Sequence, residues 1–307
     1  MSRIQEILKK AERDGGVQRT RSIVPERSAA ATAHALVEPE AVPRREPAGL
    51  GPLDAPPIAF SPAATRAPPA PAAPAPSIRQ THGHVDARLV AANAPQSLAA
   101  EQYRLLRTRV TRAENGRPCR AIIVTSPNKG DGKSITAANL ALTMAHDSQL
   151  RVLLLDADLR RPSIHHLFGV SETPGLSDVL MGGAALDEAL VYVPDHRLTV
   201  LPSGLIPTQP AELLGSAAMR RVLETLRTRF DRILIDMPPV APLADVPITS
   251  TMADGVLMIV RAGVTPKPAI ERALAGIDGA KVLGLVLNDA GAAGAKYEYP
   301  GYRYAAG

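Results

Sequence analysis

The sequence predicts an α/β fold: a mostly parallel, doubly wound sheet flanked by helices, preceded by a disordered N-terminal region. Three observations carry this expectation. Six short apolar runs alternate with helical patterns through the last two thirds of the chain. Several runs are apolar without alternation, as strands covered on both faces should be. The first run leads into "SPNKGDGKS", a glycine-bearing loop that opens a helical pattern. Such a loop aims backbone N–H groups and a helix dipole at an anion, so the domain is expected to be a P-loop NTPase.

At 307 residues the chain has room for one domain of 200 or more residues and a further segment. Its apolar content of 45% supports a core. Cys119 is the single cysteine, which excludes an internal disulfide framework, and no Cys/His cluster has zinc spacing. A reducing, cytoplasmic setting fits. No apolar run approaches the roughly 18 residues that span a bilayer. The start, "MSRIQEILKKAERDG", lacks the apolar core of a secretory signal. The net charge of +5 is spread thinly, and no nucleic-acid partner is expected.

Residues 1–15 read as a short amphipathic helix, with Ile4, Ile7, Leu8 and Ala11 on one face. It would either fray alone or order on a partner. Residues 16–83 form a Pro/Ala-rich linker, as in "APPAPAAPAPS", with little apolar surface to bury, and are expected to be disordered. The ordered domain is expected over 84–288. It starts with a helix in "SLAAEQYRLLRTRVTRAE", for which Ser97 is the N-cap. Strands follow in "AIIVT", "RVLLLDAD", "LTVLP", "RILIDMPP", "GVLMIV" and "KVLGLVLN". Residues 289–307 are Gly- and Ala-rich without apolar period, and are expected to be a flexible tail. That tail, ending "YEYPGYRYAAG", holds four of the six tyrosines of a chain with only 3% aromatic residues.

The chemistry-bearing residues gather at strand ends. In the loop, Lys133 can reach the β- and γ-phosphates, the Ser134 hydroxyl can ligate Mg²⁺, and Gly130 and Gly132 free the backbone, with Lys129 and Asp131 completing the nucleotide-facing segment. Pro127 stands at the first glycine position of the G-x-x-x-x-G-K-[ST] pattern. The second run ends in Asp156 and Asp158, and the fourth in Asp236. In an open α/β sheet, ligands lie at the carboxyl ends of the strands. Carboxylates, a serine and phosphate oxygens suit a hard cation such as Mg²⁺, with Ser134, Asp158 and Asp236 as candidate ligands. Asn288 closes the last run, where it is either an adenine contact or a turn residue. His165 and His166 read as helix or loop residues.

Across residues 84–307, about three quarters of the chain, the sequence resembles the bacterial tyrosine kinases of polysaccharide biosynthesis, most of all the soluble autokinases of exopolysaccharide and exosortase loci. "TSPNKGDGKS" resembles their Walker A motif, "LLLDADLRRP" their D-x-D-x-R motif and "ILIDMPP" their Walker B motif. "EQYRLLR" matches their E-x-x-R-x-x-R oligomerisation motif at Glu101, Arg104 and Arg107, a face that spacing alone would leave as a solvated, salt-bridged one. The resemblance implies an ATP- and Mg²⁺-dependent autokinase regulating exopolysaccharide synthesis, with Tyr297, Tyr299, Tyr302 and Tyr304 as autophosphorylation sites. Lys133, Asp156 and Asp158 are then the catalytic candidates. Asp156 would accept the tyrosine proton and Asp158 support the metal, although the two are exchangeable on spacing. Implied partners are other copies in a ring, a membrane chain-length regulator acting as activator, and a cognate tyrosine phosphatase. The protein would sit in the cytoplasm, against the inner membrane through its partner.

The chain departs from the family at "IPTQPAELL", where Pro-Pro-Asn-Pro is common, and at Asp131, where Glu is common. The rival reading is a regulatory ATPase of the partitioning type without kinase activity. Those proteins carry a signature lysine five residues before the P-loop lysine, where this chain has Asn128.

Overall fold

The structure is a computed structural model that describes residues 78–81, 85–114, 119–147, 149–279 and 281–290. The expected N-terminal helix, the linker up to residue 77 and the tail tyrosines lie outside these residues. Eight strands form one sheet: β1 (Arg79–Gln80), β2 (Ala121–Thr125), β3 (Val152–Asp156), β4 (Val191–Val193), β5 (Leu198–Leu201), β6 (Arg232–Asp236), β7 (Gly255–Arg261) and β8 (Val282–Asn288). Their order is β1-β4-β5-β3-β6-β2-β7-β8. Every neighbouring pair is parallel except β4 with β5.

The six apolar runs are the strands β2, β3, β5, β6, β7 and β8. Alternate side chains of each central strand enter two cores. Ile122, Val124, Leu154 and Leu234 pack on one face, and Ile123, Leu153, Leu155, Ile233 and Ile235 on the other. Burial on both faces explains why polar residues do not interrupt these runs. The helix Leu98–Ala113 begins at Ser97, whose Oγ accepts the Ala100 N–H at 3.2 Å. It packs on the helix Lys133–Ala145, which is buried from Thr136 to Ala145.

One boundary moves. The segment 16–83 was expected to be linker throughout, yet Arg79–Gln80 pairs with Val191–Tyr192 at the sheet edge. The Arg79 guanidinium donates to the carbonyls of Thr173 (3.3 Å), Pro174 (3.1 Å) and Ala189 (3.4 Å). Main-chain pairing and one arginine hold this strand, so it needs no apolar period.

Candidate active site

The site is assembled by register. β6 lies between β2 and β3, which sets Asp236 directly beside Asp156 and also beside Val124. The carboxyl ends of the three strands therefore deliver the P-loop and the carboxylates to one place. At the loop, Gly132 is in the left-handed region (φ 94°), and a Cβ there would lie 2.0 Å from Asn288 Nδ2. Only glycine fits. Gly130 is also left-handed, at φ 86°.

Lys133 Nζ donates to Asp158 Oδ2 at 2.8 Å, to Ser134 Oγ at 3.1 Å and to both Asp236 oxygens at 3.4 Å. Ser134 Oγ donates to Asp236 Oδ2 at 2.5 Å. The Lys133 side chain is 13% exposed and the Asp236 side chain 0%. Burial alone would lower the Lys133 pKa, but the carboxylates of Asp236, Asp158 and Asp156 outweigh it and raise the pKa above its ordinary value. Asp156 is fully buried. Desolvation, then the charge of Asp236, pushes its carboxyl up to about 7. Burial also raises Asp236, against the pull of Lys133 and Ser134.

The sequence left Asp156 and Asp158 interchangeable, and here they differ. Asp156 Oδ2 accepts the N–H groups of Ser163 and Ile164, both at 3.0 Å, and its Oδ1 accepts that of Asp158 at 3.2 Å. It is tied to the loop after β3. Asp158 accepts one backbone N–H, from Arg161 at 3.1 Å, and the Lys133 ammonium.

The other loop residues have separate roles. Lys129 is exposed. Asp131 was expected to face the nucleotide, but its carboxylate turns into the protein and is 2% exposed. Its Oδ2 accepts the Asn128 N–H at 2.9 Å and its Oδ1 the Thr265 hydroxyl at 2.8 Å. Asn288 Nδ2 donates to the Asp131 carbonyl at 3.0 Å, so its amide meets the loop backbone. His165 and His166 lie on the short helix Ile164–Phe168, apart from this cluster.

Asp245 and Thr265 belong to this neighbourhood without any signal in the sequence pattern, and Arg160 falls inside the D-x-D-x-R motif without a stated role. Arg160 makes a two-pronged bond to the buried Asp245, at 2.8 and 3.0 Å, across 85 positions. Away from the site, Arg104 Nε meets Glu101 at 2.7 Å, and Arg107 Nη1 donates to the Thr143 carbonyl at 2.9 Å. Leu98 and Leu105, on the same helix, are 67% and 42% exposed.

The donor set fits a Mg²⁺ ion. The Ser134 hydroxyl and the carboxyls of Asp158 and Asp236 converge on the Lys133 ammonium, and every candidate ligand is an oxygen. No cluster of three His, Cys, Asp or Glu arranged for a metal occurs among the described residues. Mg²⁺ needs none, since it takes one or two protein carboxylates plus waters and substrate phosphates.

A phosphate loop at the end of β2, with carboxylates at the ends of β6 beside it and β3 beyond, defines a P-loop NTPase. The family model of ParA type, described as NUBPL iron-transfer P-loop NTPase, matches residues 118–291. The tyrosine-protein kinase YwqD of Bacillus subtilis is 35% identical over 215 residues, 69% of this chain and 90% of that protein. A longer Ralstonia solanacearum relative named as a tyrosine-protein kinase, EpsB, is 35% identical over 173 residues, which are 56% of this chain and 23% of that protein. The solved BceF tyrosine kinase domain superposes with a TM-score of 0.60 at 35% identity, covering 66% of this chain and 83% of that one. The chain belongs to the bacterial tyrosine kinases. The partitioning-type alternative is not favoured. No helix among the described residues is long and apolar enough to cross a membrane.

Proposed function

We propose that the protein is an ATP- and Mg²⁺-dependent autokinase that phosphorylates its own tyrosine tail and thereby regulates exopolysaccharide synthesis. The observation that carries the reading is the contact set Lys133–Asp158 and Ser134–Asp236 at the carboxyl ends of β2, β6 and β3. The loop amides of Gly130, Gly132, Lys133 and Ser134 make no hydrogen bond to another described residue, and so are free to receive phosphate oxygens. On nucleotide binding, Lys133 exchanges Asp158 for the β- and γ-phosphates. Ser134 and Asp236 would hold Mg²⁺, with Asp158 at its edge. Held there, Mg²⁺ would supply charge neutralisation for the transferring phosphoryl group.

Lys133's departure leaves Asp158 with an unpaired oxygen. Asp158 is therefore our candidate to take the phenolic proton, in place of Asp156, whose oxygens are held by three backbone donors. A tyrosine with a pKa near 10 is a poor nucleophile at neutral pH and needs such an acceptor. The phenolic oxygen bonds to the γ-phosphorus, the bond from that phosphorus to the bridging oxygen breaks, ADP leaves, and the proton goes to the carboxylate. The 19 residues from Asp289 to Gly307 span at most about 60 Å at about 3.3 Å each, long enough to serve a neighbouring copy. The E-x-x-R-x-x-R face, with exposed Leu98 and Leu105, is the proposed contact between copies in a ring. A membrane chain-length regulator as activator and a tyrosine phosphatase as antagonist complete the proposal.

The test is purified protein with ATP and Mg²⁺, read by ADP release and anti-phosphotyrosine antibody together. Both should rise. ADP release without phosphotyrosine would return the reading to a regulatory ATPase.

A further inference from the structure

An acidic residue in the middle of a phosphate-binding loop needs a physical reason. A carboxylate a few ångström from a triphosphate repels it, and effective dielectrics near protein sites leave that repulsion sizeable. Asp131 lies between the two left-handed glycines of the loop, and its side chain is directed away from the free amides. One oxygen accepts the Asn128 N–H from within the loop at 2.9 Å. The other accepts the Thr265 hydroxyl at 2.8 Å, from the turn that follows β7. The Thr265 hydroxyl oxygen in turn accepts the Arg261 N–H at 2.9 Å, so the threonine is itself fixed. From a third direction, Asn288 at the end of β8 donates to the Asp131 carbonyl at 3.0 Å. The loop is thus held at one residue by two strands that supply none of the phosphate-binding groups.

We propose that Asp131 and Thr265 are positioning residues for nucleotide binding: the Thr265–Asp131–Asn128 chain holds the phosphate loop in its receiving shape and fastens it to the exit of β7. The Asn128 N–H is bound inside the loop and is not offered to phosphate. The amides of Gly130, Gly132, Lys133 and Ser134 stay free because the loop's own carboxylate is occupied elsewhere. A preorganised loop binds phosphate without ordering itself at that moment, so loosening it weakens affinity before it affects chemistry. This rests on the nucleotide site described above and adds what sets its affinity.

The variants separate the bond from the fold. Thr265→Val keeps size and branching but removes the hydroxyl, whereas Thr265→Ser keeps the hydroxyl. Asp131→Asn keeps shape but can no longer accept from both donors. Hydrogen bonds to a charged group carry enough energy that losing one should raise the dissociation constant of a fluorescent ADP analogue about tenfold or more. Thr265→Val and Asp131→Asn should both do so. Thr265→Ser should stay within about threefold of the wild type, and the double variant should be no worse than the poorer single one. At saturating ATP, the turnover of Thr265→Val should stay within about threefold of wild type, so the loss appears in KM rather than kcat. Wild-type affinity in Thr265→Val, an equal loss in Thr265→Ser, or additive losses in the double variant overturn the coupling. A wild type that binds neither ADP nor ATP overturns the nucleotide site and the coupling with it. If Thr265→Val melts far below wild type, Thr265→Ala is the second probe, since it removes the same hydroxyl without placing a new methyl group against the Asp131 carboxylate. A tenfold weaker affinity supports the proposal and an unchanged one overturns it.

Discussion

Lys133→Met tests the electrostatics of the site more sharply than loss of activity alone. Lys133 is the only cation bonded to Asp158 and Asp236 among the described residues, and its side chain is 13% exposed. Removing one partner of a buried ion pair costs about 3–5 kcal/mol. Because Lys133 is not fully buried, and the methionine stem keeps its apolar packing, about 3 kcal/mol is expected near pH 8. The loss should depend on pH. Desolvation and Asp236 already raise Asp156, to about 7, burial raises Asp236, and without the ammonium these two carboxyls rise further. An acid raised in the folded state binds more protons there than in the unfolded chain, so stability falls as pH rises from about 4 toward neutrality. The wild-type ammonium stays charged throughout, since its pKa lies above the ordinary lysine value. The gap between wild type and variant should therefore widen with pH, from about 1 kcal/mol at pH 5 to about 3 kcal/mol at pH 8. Urea titrations at the two pH values, in chelator without nucleotide, measure it. An equal loss at both, or none at pH 8, would refute the reasoning. The same variant should give no phosphotyrosine with ATP and Mg²⁺.

Other consequences can be checked separately. Asp158→Asn should abolish phosphoryl transfer while ADP still binds, whereas Asp156→Asn should chiefly destabilise the loop after β3; thermal melts and ADP titrations on both distinguish them. Asp245→Asn breaks a two-pronged bond to Arg160 and should cost about 1.5–3 kcal/mol in a urea titration. Combined replacement of Glu101, Arg104 and Arg107 by alanine should lower the mass seen by light scattering, and an unchanged mass would remove this face from the proposed ring. Each phosphate adds about −1.5 to −2 charge, so a fully phosphorylated tail should also lower that mass.

The central sheet was readable because its strands are buried on both faces and so stay apolar from end to end. Ser97 was readable as a cap because capping is local chemistry. β1 and β4 were not. The first is two residues held by main chain and Arg79, and the second is three residues reversed by the turn Pro194–His196. Neither is long enough to show a period. In the site, Lys133, Ser134 and Asp236 followed from motif and strand end, since strand order alone brings them together. The inward turn of Asp131 was not legible, because its partner Thr265 lies 134 positions away. For the same reason nothing in the sequence singled out Asp245, which meets Arg160 across 85 positions. The difference between Asp156 and Asp158 is set by backbone donors from Ser163 and Ile164, which spacing between the two acids does not encode.

The most direct test of the kinase reading is phosphosite mapping by mass spectrometry after incubation with ATP and Mg²⁺. The wild type should carry phosphate on Tyr297, Tyr299, Tyr302 and Tyr304, and a variant with all four changed to phenylalanine should lose nearly all of its phosphotyrosine. Wild-type phosphotyrosine levels in that variant, or an unmodified tail on a wild type that consumes ATP, would contradict the account.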